Sequence, residues 1–196
     1  MSAPPPSSPA PRVAVIFASR TGRTRRMAEA LAEGAREAGA RVTLREASEA
    51  GPQDLLDADA IVVGSGVHMG GPEAPLRAFL GDTSPLWLAG KLCGKLGAAF
   101  VSSGDGARGG AELALLSLLT TLAEHGMLLV PMHNRLPGFA AGGMHWGAVA
   151  ATNPRGGEPG PTREQLVAAH SHGRWVAECA ARWLRGERSQ SSAGSA

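Results

Sequence analysis

The 196-residue sequence has no tyrosine, and its aromatics amount to four tryptophans and four phenylalanines. A net charge of +2 is too mild to argue for nucleic acid or a membrane surface. Nucleic acid is therefore not an expected partner. Cysteine is also scarce. Cys93 and Cys179 stand far apart, outside any C-x-x-C or Cys/His spacing, so no metal is expected. Two reduced thiols suit a cytoplasmic protein. No run approaches the ~20 apolar residues of a membrane helix. The first apolar run, Val13 to Ala18, lacks the basic segment that precedes a secretory signal core. No G-x-S-x-G nucleophile elbow is present, nor a G-x-x-x-x-G-K-[ST] phosphate loop. No nucleophile elbow and no nucleotide P-loop are therefore read here.

What remains is a chain of 43% hydrophobic and 18% charged residues, a globular balance at single-domain length. Residues 1–11 and 186–196 are rich in Pro, Ser, Ala and Gly and read as disordered tails. They flank one domain over residues 12–185. Within it, Val13–Ala18, Val42–Leu44, Ala60–Val63, Leu96–Val101 and Met127–Val130 read as strands. Helical spacing falls at 25–38, 74–80, 111–124 and 162–184, with Gly39 as a stop and Thr162 as an N-cap. This alternation predicts an α/β fold with a five-stranded, doubly wound parallel sheet and helices on both faces. Residues 131–161, rich in Gly and Pro, show no periodicity and read as one long loop after strand five.

Three loops after strands collect at the carboxyl edge, where doubly wound sheets bind ligands. The first is Ser19, Arg20, Thr21, Gly22, Arg23 and Thr24. Hydroxyls before a helix N-terminus suit a phosphate monoester, although Ser and Thr are also ordinary helix caps. The second runs from Gly64 to Pro72. The main chain of Val67, His68 and Met69 is placed to meet the edge of a planar heterocycle. The third contains Ser102, Ser103, Gly104, Asp105, Gly106, Gly109 and Gly110. Residues 104–109 match G-x-G-x-x-G, but the dinucleotide fingerprint belongs in the first βα turn and needs an acid ~20 residues on, at a strand end. Glu124 ends a helix instead, so the match is read as coincidental.

The strand–Ser-x-Thr-Gly-x-Thr–helix pattern resembles the FMN phosphate loop of flavodoxins. More of the chain is similar to the WrbA-type flavodoxin-like NAD(P)H:quinone oxidoreductases. The shared text includes Phe79-Leu80, Leu86-Trp87, Gly94-Lys95-Leu96, Ser102-Ser103-Gly104, the run Thr120 to Met127, Val130-Pro131 and Gly142 to Ala148. The resemblance implies the flavodoxin strand order 2-1-3-4-5. It also implies FMN as cofactor, NADH or NADPH as co-substrate, and two-electron ping-pong reduction of a quinone. Residues 19–24 would hold the phosphate, Val67 to Met69 and Ser102 to Gly110 the rest of the flavin. His125 is expected near the flavin as proton or hydrogen-bond donor. Trp87 and Trp146 are expected to line the substrate pocket. A homodimer or homotetramer is implied.

Departures stand beside this. Gly66-Val67-His68-Met69 replaces the family's Pro-Thr-Arg-Phe, Thr21 replaces a tyrosine, and region 46–58 is shorter. An electron-carrying flavodoxin and a non-enzymatic scaffold with weak FMN binding are therefore the competing expectations.

Overall fold

A computed structural model of the chain describes residues 9–104, 108–152 and 160–193. Strands β1 (Arg12–Ala18), β2 (Arg41–Glu46), β3 (Ala60–His68) and β5 (Leu96–Ser103) pair in parallel in the order β2-β1-β3-β5. Helices α1 (Arg23–Glu37) and α7 (Arg163–Ala193) cover one face. Helices α2 (Pro52–Leu56), α3 (Ala74–Gly81), α4 (Ser84–Leu88) and α5 (Arg108–Glu124) follow the strands between, and α2, α3 and α5 cover the other face. Alternate residues of β1 point to each side: Val13, Val15 and Phe17 pack under α1 and α7, and Ala14, Ile16 and Ala18 under α3 and α5. Burial on both faces is why this strand reads as an unbroken apolar run.

Helix α1 stops where glycine permits it. Gly39 has φ +87°, and its amide donates to Arg36 O while Ala40 N donates to Ala35 O. Such a left-handed residue closes a helix at little steric cost. At the start of α7, Thr162 N donates to Gln165 Oε1 (3.0 Å) and Gln165 N to Thr162 Oγ1 (3.3 Å). This is a capping box. The helix was expected to end at Leu184 and continues to Ala193.

Three expectations change. The fifth strand position is shared. Segment 127–130 contributes only the two-residue β6 (Leu128–Leu129), beside Leu96 and Gly97. Residues 131–161 are not one loop among the described residues. They form α6 (Phe139–Gly142), β7 (Gly143–Met144) and β8 (Gly147–Ala151), and β8 runs parallel to Phe100–Ser103. The Gly-rich second loop is also largely strand. β3 continues to His68 and turns through Met69 (φ +49°) and Gly70 (φ +82°) into β4 (Gly71–Pro72). Gly64 is not a flexible joint: a Cβ there would overlap the Phe100 ring of the neighbouring strand.

Candidate functional site

At the carboxyl ends of β1, β3, β5 and β8 lies a cavity of about 430 Å³, within the ~300–1,000 Å³ usual for small-molecule sites. It is lined by Arg20, Thr21, Arg23 and Thr24 after β1, by Gly66, Val67 and His68 at the end of β3, by Glu73 before α3, by Ser102, Ser103 and Gly104, and by Thr152. Three stretches distant in sequence, anticipated as a site, are thus one wall-to-wall pocket.

Gly22 is the N-cap of α1, with φ +80°. That left-handed conformation costs most residues ~1–2 kcal/mol and glycine almost nothing. The turn aims the first amides of the 15-residue helix at the cavity. Ser19 Oγ accepts the Arg25 amide (3.2 Å), and Gly22 O accepts the Arg26 amide (3.1 Å). The amides of Arg23 and Thr24 have no hydrogen bond among the described residues. Free amides at a helix N-terminus, flanked by Arg20 and Arg23, form a cradle that can receive an anion.

The Thr24 hydroxyl has a different task. Thr24 is 2% exposed and its Oγ1 pairs with Ser102 Oγ at 2.8 Å. This bond ties the start of α1 to the end of β5. At the far wall, Thr152 donates its hydroxyl to Ser103 O (2.9 Å) and its amide to the same oxygen (2.7 Å). At the mouth, Arg20 Nη1 donates to His68 Nδ1 (3.3 Å), drawing the first and second loops together. Ser65 Oγ donates to Gly66 O and accepts the Glu73 amide, both at 2.8 Å, fixing the base of the hairpin. Met69 stands at the hairpin tip, fully in solvent. Gly109 and Gly110 fall in the first turn of α5. Asp105 and Gly106 lie outside the described residues.

His125 and Trp87 are brought together, but in a separate pocket of about 340 Å³ with Arg77, Thr83, Thr121 and Glu124. Helix α5 runs antiparallel to β5, and its 17 residues carry the chain ~25 Å. It starts beside Gly104 and ends where Gly126 O accepts the Gly94 amide, just before β5 begins. His125 therefore stands at the opposite edge of the sheet from the cradle within one chain. Its Nε2 lies 2.9 Å from Thr83 Oγ1, and its Nδ1 is buried without a partner among the described residues. Burial lowers its pKa from the ordinary value, opposed by the nearby Glu124 charge. Trp146, half-exposed on the β7–β8 turn, donates Nε1–H to Glu112 Oε1 (3.1 Å) and lines neither pocket.

A larger groove of about 680 Å³ runs between β6 and α7, past Leu129, Trp175 and Trp183. It is predominantly apolar and lacks the converging strand ends and helix terminus of the smaller cavity. Two pocket residues went unremarked in the sequence. Thr152 falls in a stretch without periodicity. Glu73 follows Gly-Gly-Pro in a segment that reads as the end of a loop.

A flavodoxin-domain family profile matches residues 14–92. The NAD(P)H dehydrogenase (quinone) of Rhizobium rhizogenes is 35% identical over 87% of this chain and 98% of its own length. The protein of the same name from Nitrobacter winogradskyi is 34% identical over the same shares. Among solved structures, the WrbA-like flavodoxin of Agrobacterium tumefaciens superposes with a TM-score of 0.70 at 29% identity, covering 88% of this chain and 98% of that one. A flavodoxin from Archaea, at 24% identity and a TM-score of 0.66, shares the fold. Identity at this level along nearly the full length of both chains places the protein in the WrbA-type NAD(P)H dehydrogenase (quinone) family of the flavodoxin fold.

Proposed function

We propose that the protein is an FMN-dependent oxidoreductase that takes electrons from NADH or NADPH and passes them in pairs to a quinone. The observation that carries this reading is the cradle at α1: two free amides, a left-handed Gly22 cap and two arginines, with no lysine. It fits a phosphate monoester held mainly by main-chain donors. Ser19 to Thr24 would hold the phosphate. The hairpin from Val67 to Met69 and the strand end from Ser102 to Gly104 would flank the remainder, continued by Asp105, Gly106 and the α5 start at Gly109 and Gly110. Bound FMN supplies the hydride-accepting and electron-donating chemistry, and the protein supplies position and electrostatics.

The chain's own contributions follow from its geometry. Arg20 and Arg23 balance phosphate charge, and the Thr24–Ser102 bond keeps the cradle in register with β5. Where the family has Arg-Phe this chain has His68-Met69, and Arg20 bonds His68 at the mouth. A role for His125 in proton supply requires a second copy of the chain to bring its end of α5 to the flavin, and we infer a homo-oligomer for that reason. Among the described residues no helix is long and apolar enough to cross a membrane. The free thiols Cys93 and Cys179 suit the cytoplasm.

The test is steady-state oxidation of NADH and of NADPH by FMN-loaded protein with benzoquinone as acceptor, beside a flavin titration. Stoichiometric FMN and turnover well above that of free FMN are expected. Turnover equal to free FMN refutes the enzymatic reading, and failure to retain FMN refutes the cofactor assignment.

A further inference from the structure

Glu73 is 7% exposed, yet its carboxyl lines the cradle cavity beside Thr24, Gly66 and Ser102. Its amide donates to Ser65 Oγ (2.8 Å), which pins the residue at the junction of β4 and α3. Its carboxyl fills the space that Gly66 leaves free, since a Cβ at Gly66 would overlap Oε1. Among the described residues no hydrogen bond or ion pair engages the carboxyl oxygens. The hydroxyls of Thr24 and Ser102 on the same floor bond to each other.

An ionised carboxylate can only accept. Neither Glu73 oxygen is among the sealed, unpartnered atoms of the described residues, so the carboxyl is reachable from the cavity, where a ligand hydroxyl can donate to it. A phosphate ester brings only acceptors and charge of the same sign, so the phosphate keeps to the arginine side of α1. Gly66 pairs in register with Ser102, and Ser102 bonds Thr24 in the first turn of α1. Glu73 thus sits one step from the phosphate amides. In FMN the group one step from the phosphate is the hydroxylated chain, not the ring.

We propose that Glu73 is a specificity-determining residue that accepts a hydrogen bond from a hydroxyl of the ligand's polyol chain, selecting a sugar-alcohol phosphate over a plain alkyl phosphate. This rests on the FMN reading above. It goes beyond that reading by assigning a recognition role to a residue outside all three of the loop segments first singled out.

The experiment is a fluorescence-quenching titration of wild-type, Glu73→Ala and Glu73→Gln protein with FMN and with its 2′-, 3′- and 4′-deoxy analogues. Hydrogen bonds to a charged group are worth about tenfold or more in affinity. Wild type is expected to lose that factor with one of the three analogues. Glu73→Ala should lose a similar factor for FMN and nothing further with that analogue, the non-additivity of a direct contact. Glu73→Gln, which keeps one neutral acceptor and the side-chain shape, should fall between, and it decides the matter if the alanine variant does not fold. FMN affinity that is unchanged or tighter in the variants overturns the assignment, as does an equal analogue penalty in all three proteins. Wild-type protein that binds none of these flavins overturns the FMN reading along with it. Wild type that binds FMN without the coupling overturns only the role of Glu73.

Discussion

Replacing Thr24 by valine separates two readings of the cradle. Thr24 is 2% and Ser102 6% exposed, and their hydroxyls meet at 2.8 Å. Valine keeps the shape and removes the oxygen, leaving Ser102 Oγ sequestered without its partner. A buried polar group stranded in this way costs ~1–3 kcal/mol. At ~2–4 °C per kcal/mol for a domain of this size, the melting temperature should fall by about 2–12 °C. Ser102→Ala should cost a similar amount, and the double variant clearly less than the sum. Flavin selectivity should behave differently. The phosphate is assigned to the Arg23 and Thr24 amides, which Thr24→Val retains. The preference for FMN over riboflavin, read by fluorescence titration, should therefore change by less than about threefold, or ~0.7 kcal/mol. If the hydroxyl itself were the phosphate ligand, its loss would remove a bond to a charged group. The preference would then fall by about tenfold to more than a hundredfold. A selective loss of that size, with riboflavin affinity intact, refutes the amide assignment.

Two further perturbations probe the scaffold. His172 of α7 is completely buried, with Nε2 3.4 Å from Val130 O, and burial drives its pKa down to about 4. The unfolded chain therefore takes up a proton that the folded chain refuses. Stability should fall as the pH drops from ~6.5 towards 4 and then level, by about 3 kcal/mol in total. Urea unfolding across that range should show the slope in wild type and a flatter one in His172→Gln; equal slopes refute it. Gly34→Ala would drive a Cβ into the His170 carbonyl, where α1 and α7 cross. Overpacking of this kind costs ~1–3 kcal/mol or more. Thermal unfolding should shift markedly while FMN affinity holds, because Gly34 lies ~18 Å along α1 from Gly22; unchanged stability refutes the close crossing.

The layout of the sheet was legible because burial on both faces leaves a plain mark. Val13 to Ala18 has no polar residue to interrupt it, and the glycines at 22 and 39 sit where left-handed backbone is needed. The cradle was legible for the same reason, since a strand, a short hydroxyl-bearing turn and an amphipathic helix follow one another directly in sequence. Glu73 was not, because its role depends on Gly66 lacking a side chain seven residues earlier and on Ser65 holding its amide. Nor was the distance of His125 from the cradle. The helix start follows β5 directly, but α5 runs back along the sheet and carries its end, with His125, to the opposite edge.

The split of the fifth strand has a local cause that also builds the site. β6 is laid against β5 at Leu96 and Gly97, and Val130 still donates to Gly97 O (2.8 Å). The next donor in that alternation is Met132, and its amide turns away from β5 to His145 O (3.1 Å). The chain leaves the sheet there, turns through α6 and β7, and returns as β8 beside Phe100 to Ser103. Its return is tight: a Cβ at Gly147 would overlap Ala99 O, so glycine is required at that point of entry. What the detour gains is the last residue of the pocket wall. Because β8 takes the sheet position late, its end reaches the carboxyl edge level with Ser103, and Thr152 closes onto Ser103 O with both amide and hydroxyl. The departure at Met132 and the completion of the cavity by Thr152 are thus two ends of one structural event.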